Sequence, residues 1–356
     1  MFITSVVRGP NGVVMVLRCL FTCVFVYFCF VHYGSSAFSQ VAAPTKSGPS
    51  SGLFHFGLMQ AVEQFEVYSP KANLIGNVNY RGSSSMADLG QRLGGTFRKF
   101  HAEVGFSGLT LGSEAALQSL AENPELIIGV SRPVDESDLK ILQAGKCKEP
   151  VAVVVATEAL AIYVNERNPI GSLSKDSFVQ LFATSPEGKA KVWGDFGVTG
   201  DLSVKEIARF ERGNDSGTQT FLVRNLLGNA TPAPSFKVCS TNAEVCAEVG
   251  KNSFGVGIGD LYAGIPGTRR VPLVVDNRVV EATEENVLSG SYPLVRPFVL
   301  IFDKSQCAVD GGLREEIVRF VLSRDGQATV MKSGLFPVDP AFATHQIAEV
   351  FGQKVR

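Results

Sequence analysis

The stretch NLIGNVNYRGSSSMADLGQRLGGTFRKFHAEVGFSGLT, Asn73–Thr110, decides the fold. An apolar run of strand length, NLIGNV, is followed by a serine-rich turn. A segment with helical spacing, SSMADLGQRLGGTFRKFHAEV, then leads into a second short apolar run, GFSGLT. Strand, helix, strand in that order is the crossover unit of a parallel sheet. The alternation continues outward: SEAALQSLAENP reads as helix, ELIIGVSR as a fully buried strand and ESDLKILQAG as helix. EPVAVVVATEALAIYVNERNP is continuously apolar without a helical stripe, and reads as two strands or one very long one. KDSFVQLF and SGTQTFLVRNLLG read as helices, VKEIARFER, SFKVCS and SFGVGIGD as strands, and YPLVRPFVLIF, with two prolines, as an edge or crossing segment. GLREEIVRFVLS and PAFATHQIAEVFGQ close the chain as helices.

The expected class is therefore α/β: two lobes, each a mostly parallel sheet flanked by helices, with a cleft between them and two crossover strands. The shifts in pattern place the first part of lobe 1 at 57–152, lobe 2 at 153–272 and the return to lobe 1 at 273–356. In the first forty residues Arg8 and Arg18 are the only charged side chains, and a long apolar run ends in small residues. Residues 1–39 thus read as an export signal, with a retained anchor as the alternative, and 40–56 as a flexible linker.

The chain has 356 residues, 45% of them hydrophobic, and a formal net charge of -1. A near-neutral chain has no global field for nucleic acid, and no basic stripe with interleaved aromatics occurs. Outside the leader, four cysteines remain: Cys147, Cys239, Cys246 and Cys307. In an exported chain the close spacing of Cys239 and Cys246 suggests one disulfide, leaving Cys147 to pair with Cys307; the alternative is four buried thiols. No clustered ligands mark a metal site and no motif calls for a cofactor.

The chemistry concentrates in loops between strands and helices. RGNDSGTQTF puts Arg212, Asp215, Ser216, Gly217 and Thr218 at one such junction. A helix start leaves N–H groups unpaired and is mildly positive; Gly217 allows close backbone approach, and Arg212 adds charged donors. Ser216 reads equally well as a plain helix cap. RGSSSMADL repeats the pattern with Gly82, Ser83, Ser84 and Ser85, and LGSEAAL with Gly112 and Ser113. Ser131 and Arg132 end another buried strand. Several such loops at the ends of strands suit a small oxyanion in the crevice of an α/β protein. A serine hydrolase fits less well: no GxSxG elbow surrounds Ser216, and only His101 and His345 fall in expected folded segments.

These loops, with VWGDFG and SGSYPLVRPF downstream, resemble the phosphate-binding branch of the substrate-binding proteins of ABC importers, which share the type 2 periplasmic-binding-protein fold. The resemblance implies a non-enzymatic protein whose lobes close on dehydrated phosphate and deliver it to importer permease subunits. It implies a binding set of Ser84, Ser85, Met86, Ser113, Ser131, Arg132, Arg212, Ser216, Gly217 and Thr218, a monomer, and a periplasmic or extracellular location. Arg132 stands where some relatives carry an aspartate, and Glu114 follows Ser113 where a small residue is usual. Glu114 then caps its helix, accepts a ligand proton or repels the anion. Sulfate, molybdate or tungstate, and a ligand-free interaction module, are the alternatives.

Overall fold

The computed structural model describes residues 51–352, except 72, 186–190, 215 and 229. The expected export signal, residues 40–50 of the expected linker, and Asp215 lie outside the described residues. The chain enters in helix α1 (Ser51–Glu63), so 51–56 are helical where a linker was expected. The reason is composition: the run beyond the prolines carries Leu58 and Val62, both buried. Among the described residues no helix is long and apolar enough to cross a membrane.

Strands β1 (Gly76–Gly82), β2 (Val104–Thr110) and β3 (Ile127–Val130) follow, separated by α2 (Ala87–Phe97) and α3 (Ser113–Glu122), and then α4 (Glu136–Ala144). The long apolar run is one strand, β4 (Pro150–Asn165). Next come α5 (Lys175–Phe182), β5 (Ala208–Arg212), α6 (Gly217–Phe221), β6 (Lys237–Cys239), α7 (Asn242–Lys251) and β7 (Gly255–Asp260). Then β8 (Thr268–Val271), the β9 (Leu273–Val275) and β10 (Arg278–Val280) hairpin and α8 (Glu284–Leu288) precede β11 (Val295–Asp303). Helices α9 (Leu313–Val321), α10 (Arg324–Lys332) and α11 (Pro340–Phe351) finish the chain.

The strands run β2-β1-β3-β11-β4-β7-β5-β6, with β8 also paired to β4. β1 pairs in parallel with β2 and β3, and β5 in parallel with β6 and β7, while β4 and β11 run antiparallel to their neighbours. β4 joins the two lobes. Up to Ala159 it pairs with β11, and from Leu160 onward with β7 and β8. Its partners change, but its side chains are mostly apolar in both halves, which is why no break appears in the sequence.

The packing separates in the same way. Side chains of α2, α9 and α10 cover one face of the first lobe's sheet, with Phe298, Leu300 and Phe302. Leu117, Leu120 and Leu142 cover the other, with Val299 and Ile301. Alternate residues of β11 thus serve opposite faces, the period of two expected of a strand buried on both sides. The second lobe has its own core around Ile162, Phe182, Trp193, Phe210 and Val256.

Two expectations about the return change. Leu273, Ala282, Val287, Tyr292 and Leu294 pack in the second core, so the chain rejoins the first lobe's sheet at Val295 rather than at 273. There the Leu160 amide donates to the Leu294 carbonyl at 2.8 Å. β11 is central rather than an edge. Pro297, which has no N–H, lies beside a register irregularity at Phe298/Val299 that relieves the ladder.

The disulfides also change: all four cysteines are free thiols. Cys147 belongs to the core on one face of the first sheet, while Cys307 packs against the core on the other, so the sheet separates them. Cys239 closes β6 and Cys246 lies on the buried face of α7, both packed as apolar side chains in the second core. Burial pushes the Cys147 and Cys246 thiols up to about 12, as expected of inert, apolar cysteines.

Candidate functional site

Three of the serine loops meet where β4 crosses between lobes. Gly82 ends β1, and a short turn, Ser84–Met86, leads into α2. The side chain aimed inward is Ser83, not Ser84, which is exposed. The Ser83 and Ser131 hydroxyls lie 2.8 Å apart, both fully buried. Ser131 follows β3, and its amide donates to Ser113 Oγ at 3.4 Å, so Ser113 is drawn to the same spot from the start of α3. Met86 instead turns into the first core.

From the other lobe comes the start of α6. Ser216 caps it, accepting from the Thr218 and Gln219 amides at 3.1 and 3.3 Å. Gly217 lies so close to the facing lobe that a Cβ on it would sit 1.9 Å from Ser131 Oγ and 3.0 Å from Ser83 Oγ. No residue but glycine fits this approach without displacement. Arg212, at the end of β5, donates to Asn242 Oδ1 at 3.1 Å, and Thr218 donates to the same oxygen at 3.4 Å. The Asn242 amide in turn donates to Asp260 at 3.3 Å.

Three N–H groups at these helix starts are engaged locally. The Ser85 amide donates to Ser83 Oγ at 3.3 Å, the Met86 amide to the Ser83 carbonyl at 2.9 Å, and the Thr218 amide to its own cap. These amides are engaged within their own loops, and at this point the lobes meet through Arg296 with Thr218 and through Gly217 against Ser131.

Arg296, which sequence reasoning left out of the site, connects them. Its side chain is 0% exposed. It donates to Ser85 Oγ at 3.1 Å, to Thr218 Oγ1 at 3.0 Å and to the Ser131 carbonyl at 3.2 Å. These partners lie on both lobes. Arg296 is held by Glu158, its register partner across β4 and β11, through contacts of 2.6 and 2.5 Å. Burial pushes the Glu158 carboxyl up, against the pull of Arg296. The signal was in the sequence: Glu158 interrupts an otherwise apolar strand, and Arg296 follows the quoted YPLV run. Charges inside a buried strand need each other.

Arg132 is a correction. It is fully buried but turned away from the hydroxyls, donating to both oxygens of Asp138 at 2.5 and 2.9 Å, to the Pro133 carbonyl at 2.9 Å and to Glu114 at 3.1 Å. Burial opposes its charge, but Asp138 and Glu114 outweigh that and hold the guanidinium above its ordinary value. Glu114 lies at the rim, half-exposed, and also faces Arg224 of the other lobe at 3.6 Å. Arg224 reaches Asp138 and Asp135 at 3.9 and 4.0 Å as well. Beside this ionic group a cleft of about 460 Å³ opens between Gly112, Glu114 and Ala115 on one side and Gln219, Val223 and Arg224 on the other. It leads along the rim, next to the hydroxyl cluster rather than over it. Among the described residues no group of His, Cys, Asp and Glu side chains suits a metal.

A family model for a PBP superfamily domain matches residues 68–324. The chain is 27% identical over 289 residues to the phosphate-binding protein PstS of Pseudomonas aeruginosa, covering 80% of this chain and 90% of that one. Among solved structures it resembles an ABC-type phosphate transport receptor from Vibrio cholerae, with a TM-score of 0.61 and 20% identity, over 73% of this chain and all of that one. A phosphate ABC transporter substrate-binding protein from Clostridium perfringens, solved with bound phosphate, superposes with a TM-score of 0.56 at 22% identity, over 74% of this chain and 99% of that one. The two-lobed arrangement of sheets flanked by helices is the type 2 architecture of these structures.

Proposed function

The chain belongs to the PBP superfamily, and we propose that it binds inorganic phosphate between its lobes, without catalysis, and delivers it to the permease subunits of an ABC importer. The single observation that supports this reading most is the meeting of Ser83, Ser85, Ser113, Ser131 and Thr218 around the buried Arg296, from both lobes. A tetrahedral anion leaving water needs many donors at one point, and hydroxyls held by the buried guanidinium supply them without a full counter-charge. Arg212, Ser216 and Gly217 complete the second lobe's side of this site. The names of the relatives agree in naming phosphate. The same reading puts the protein outside the cytoplasmic membrane, as a monomer whose lobes are free to close.

Titration calorimetry of the purified protein lacking residues 1–39 against phosphate, sulfate, molybdate and tungstate tests it. Tight heat with phosphate alone is the expected result. Silence toward every oxyanion removes the binding reading, and a response to sulfate without phosphate keeps the mechanism and changes the solute.

A further inference from the structure

We infer that Arg296 is a positioning residue that biases the Ser85 and Thr218 hydroxyls toward donating, so that the site favours a ligand that presents acceptor oxygens to these two groups. This deepens the oxyanion reading and rests on it. A guanidinium has hydrogens to give and no lone pair to receive one. Arg296 Nη2 lies 3.1 Å from Ser85 Oγ and 3.0 Å from Thr218 Oγ1, so each oxygen must accept from it. A hydroxyl with one lone pair engaged in that way and a positive charge beside it receives a second donor less readily, and its own proton is turned toward another partner. Thr218 directs its proton toward Asn242 at the long distance of 3.4 Å, a contact readily exchanged for a better acceptor. Without the guanidinium, each hydroxyl would be free to rotate and accept as easily as donate.

The pair is arranged for this role. Glu158 takes Nε and shares Nη2, which fixes the plane of the guanidinium, and its charge offsets that of Arg296. Anion affinity at this point then comes from aimed dipoles rather than from a net positive charge. Arg296 leaves β11 at the crossing of the lobes, opposite Glu158 on β4, and so reaches Ser85 and Ser131 on one lobe and Thr218 on the other.

The test uses the whole exported chain and inorganic phosphate and sulfate as probes. Arg296→Met alone leaves Glu158 buried without its partner and endangers the fold, so the informative protein is Arg296→Met/Glu158→Met, which removes both charges at similar volume. It should melt cooperatively yet bind at least about tenfold more weakly, while Arg296→Lys, which keeps the charge but loses the fork, should recover only part of the affinity. In a Ser85→Ala/Thr218→Val background the same pair of methionines should cost no more than about twofold, because the groups through which Arg296 acts are gone. Wild-type affinity in the folded double-methionine protein overturns the inference. So does a full tenfold loss persisting without the two hydroxyls, which would make Arg296 a direct ligand. A wild-type chain silent to both anions overturns this inference together with the functional reading, whereas a binding wild type with an unaffected double-methionine variant overturns this inference alone.

Discussion

Replacing Gly217 by alanine should disable the site while leaving the fold intact. Gly217 is the first residue of α6 and has no left-handed backbone requirement, so alanine suits the helix and should not lower stability. Its Cβ, however, would arrive 1.9 Å from Ser131 Oγ, 3.0 Å from Ser83 Oγ and 3.1 Å from Arg296 Nη1. Restoring ordinary contact requires the lobes to separate by about 1.5 Å at that point. The 3.0 Å bond from Arg296 to Thr218 would then exceed 4 Å and cease to be one. Any anion held between the lobes would lose its donors on one side. Two charge-assisted contacts at about 1.5 kcal/mol each amount to a loss of about a hundredfold in affinity. Calorimetry against phosphate measures this, with thermal unfolding as the control for folding. Adding Ser131→Ala removes the oxygen that clashes and should regain part of the loss. A Gly217→Ala protein that binds like wild type would refute the reasoning, because the lobes would then not meet through this glycine.

Arg224→Ala removes the one described side chain that reaches across the rim to Glu114, Asp135 and Asp138, and should open the closed state, read as a larger radius of gyration with saturating phosphate and a severalfold faster release rate. Glu114→Gly should weaken that rim contact slightly and leave anion affinity within about twofold, since Glu114 is turned to Arg132 and Arg224 and not to the hydroxyls; a large rise in affinity would show that it repels the ligand. The Asp303 carboxylate, although buried, is held below its ordinary value by the Lys148, Glu149 and Ser305 amides, so its folded form binds fewer protons than the unfolded chain. Its contribution is therefore present above about pH 4 and lost as pH falls through the folded value; Asp303→Asn should lower stability at neutral pH and flatten that acid loss in denaturant titrations.

Much of the architecture was legible because strand and helix periods differ and alternate cleanly from Asn73 to Gly145. The loops were legible because the same serine and glycine pattern recurs at several strand-to-helix junctions, although a single such serine, like Ser216, also caps its helix. What failed did so for tertiary reasons. No local rule tells Ser83 from Ser84: one faces Ser131 and the other water, and the choice is made by how β1 pairs with β3. Arg132 follows a buried strand like a ligand, but Asp138, six residues on in the first turn of α4, claims it first. The return point was misplaced because the β9 and β10 hairpin carries no sign of which core it covers. The cysteines show how spacing misleads: Cys239 and Cys246 are close in sequence, yet one ends a strand and the other lies on a helix face, and both stay free thiols in the second core.

Arg296 was missed for a reason that bears on how the site works. An arginine inside a continuous apolar strand reads as a structural charge, and its buried carboxylate partner on the neighbouring strand supports that reading. Yet a pair kept for stability alone would be replaceable by apolar side chains at little cost, since desolvation cancels much of its attraction. Here the guanidinium also contacts one hydroxyl from each lobe, at the point where β4 passes between them. The contact with Thr218 exists only when the lobes are near each other, so it lends its energy to closure, whereas the contact with Ser85 steadies Arg296 within the first lobe. Closure and the aiming of the hydroxyls are then one event: bringing Thr218 to Arg296 both shuts the cleft and fixes a donor toward its interior. A cleft built in this way stays weakly donating while open and becomes strongly donating only as it closes, which lets the solute enter before the site commits to holding it.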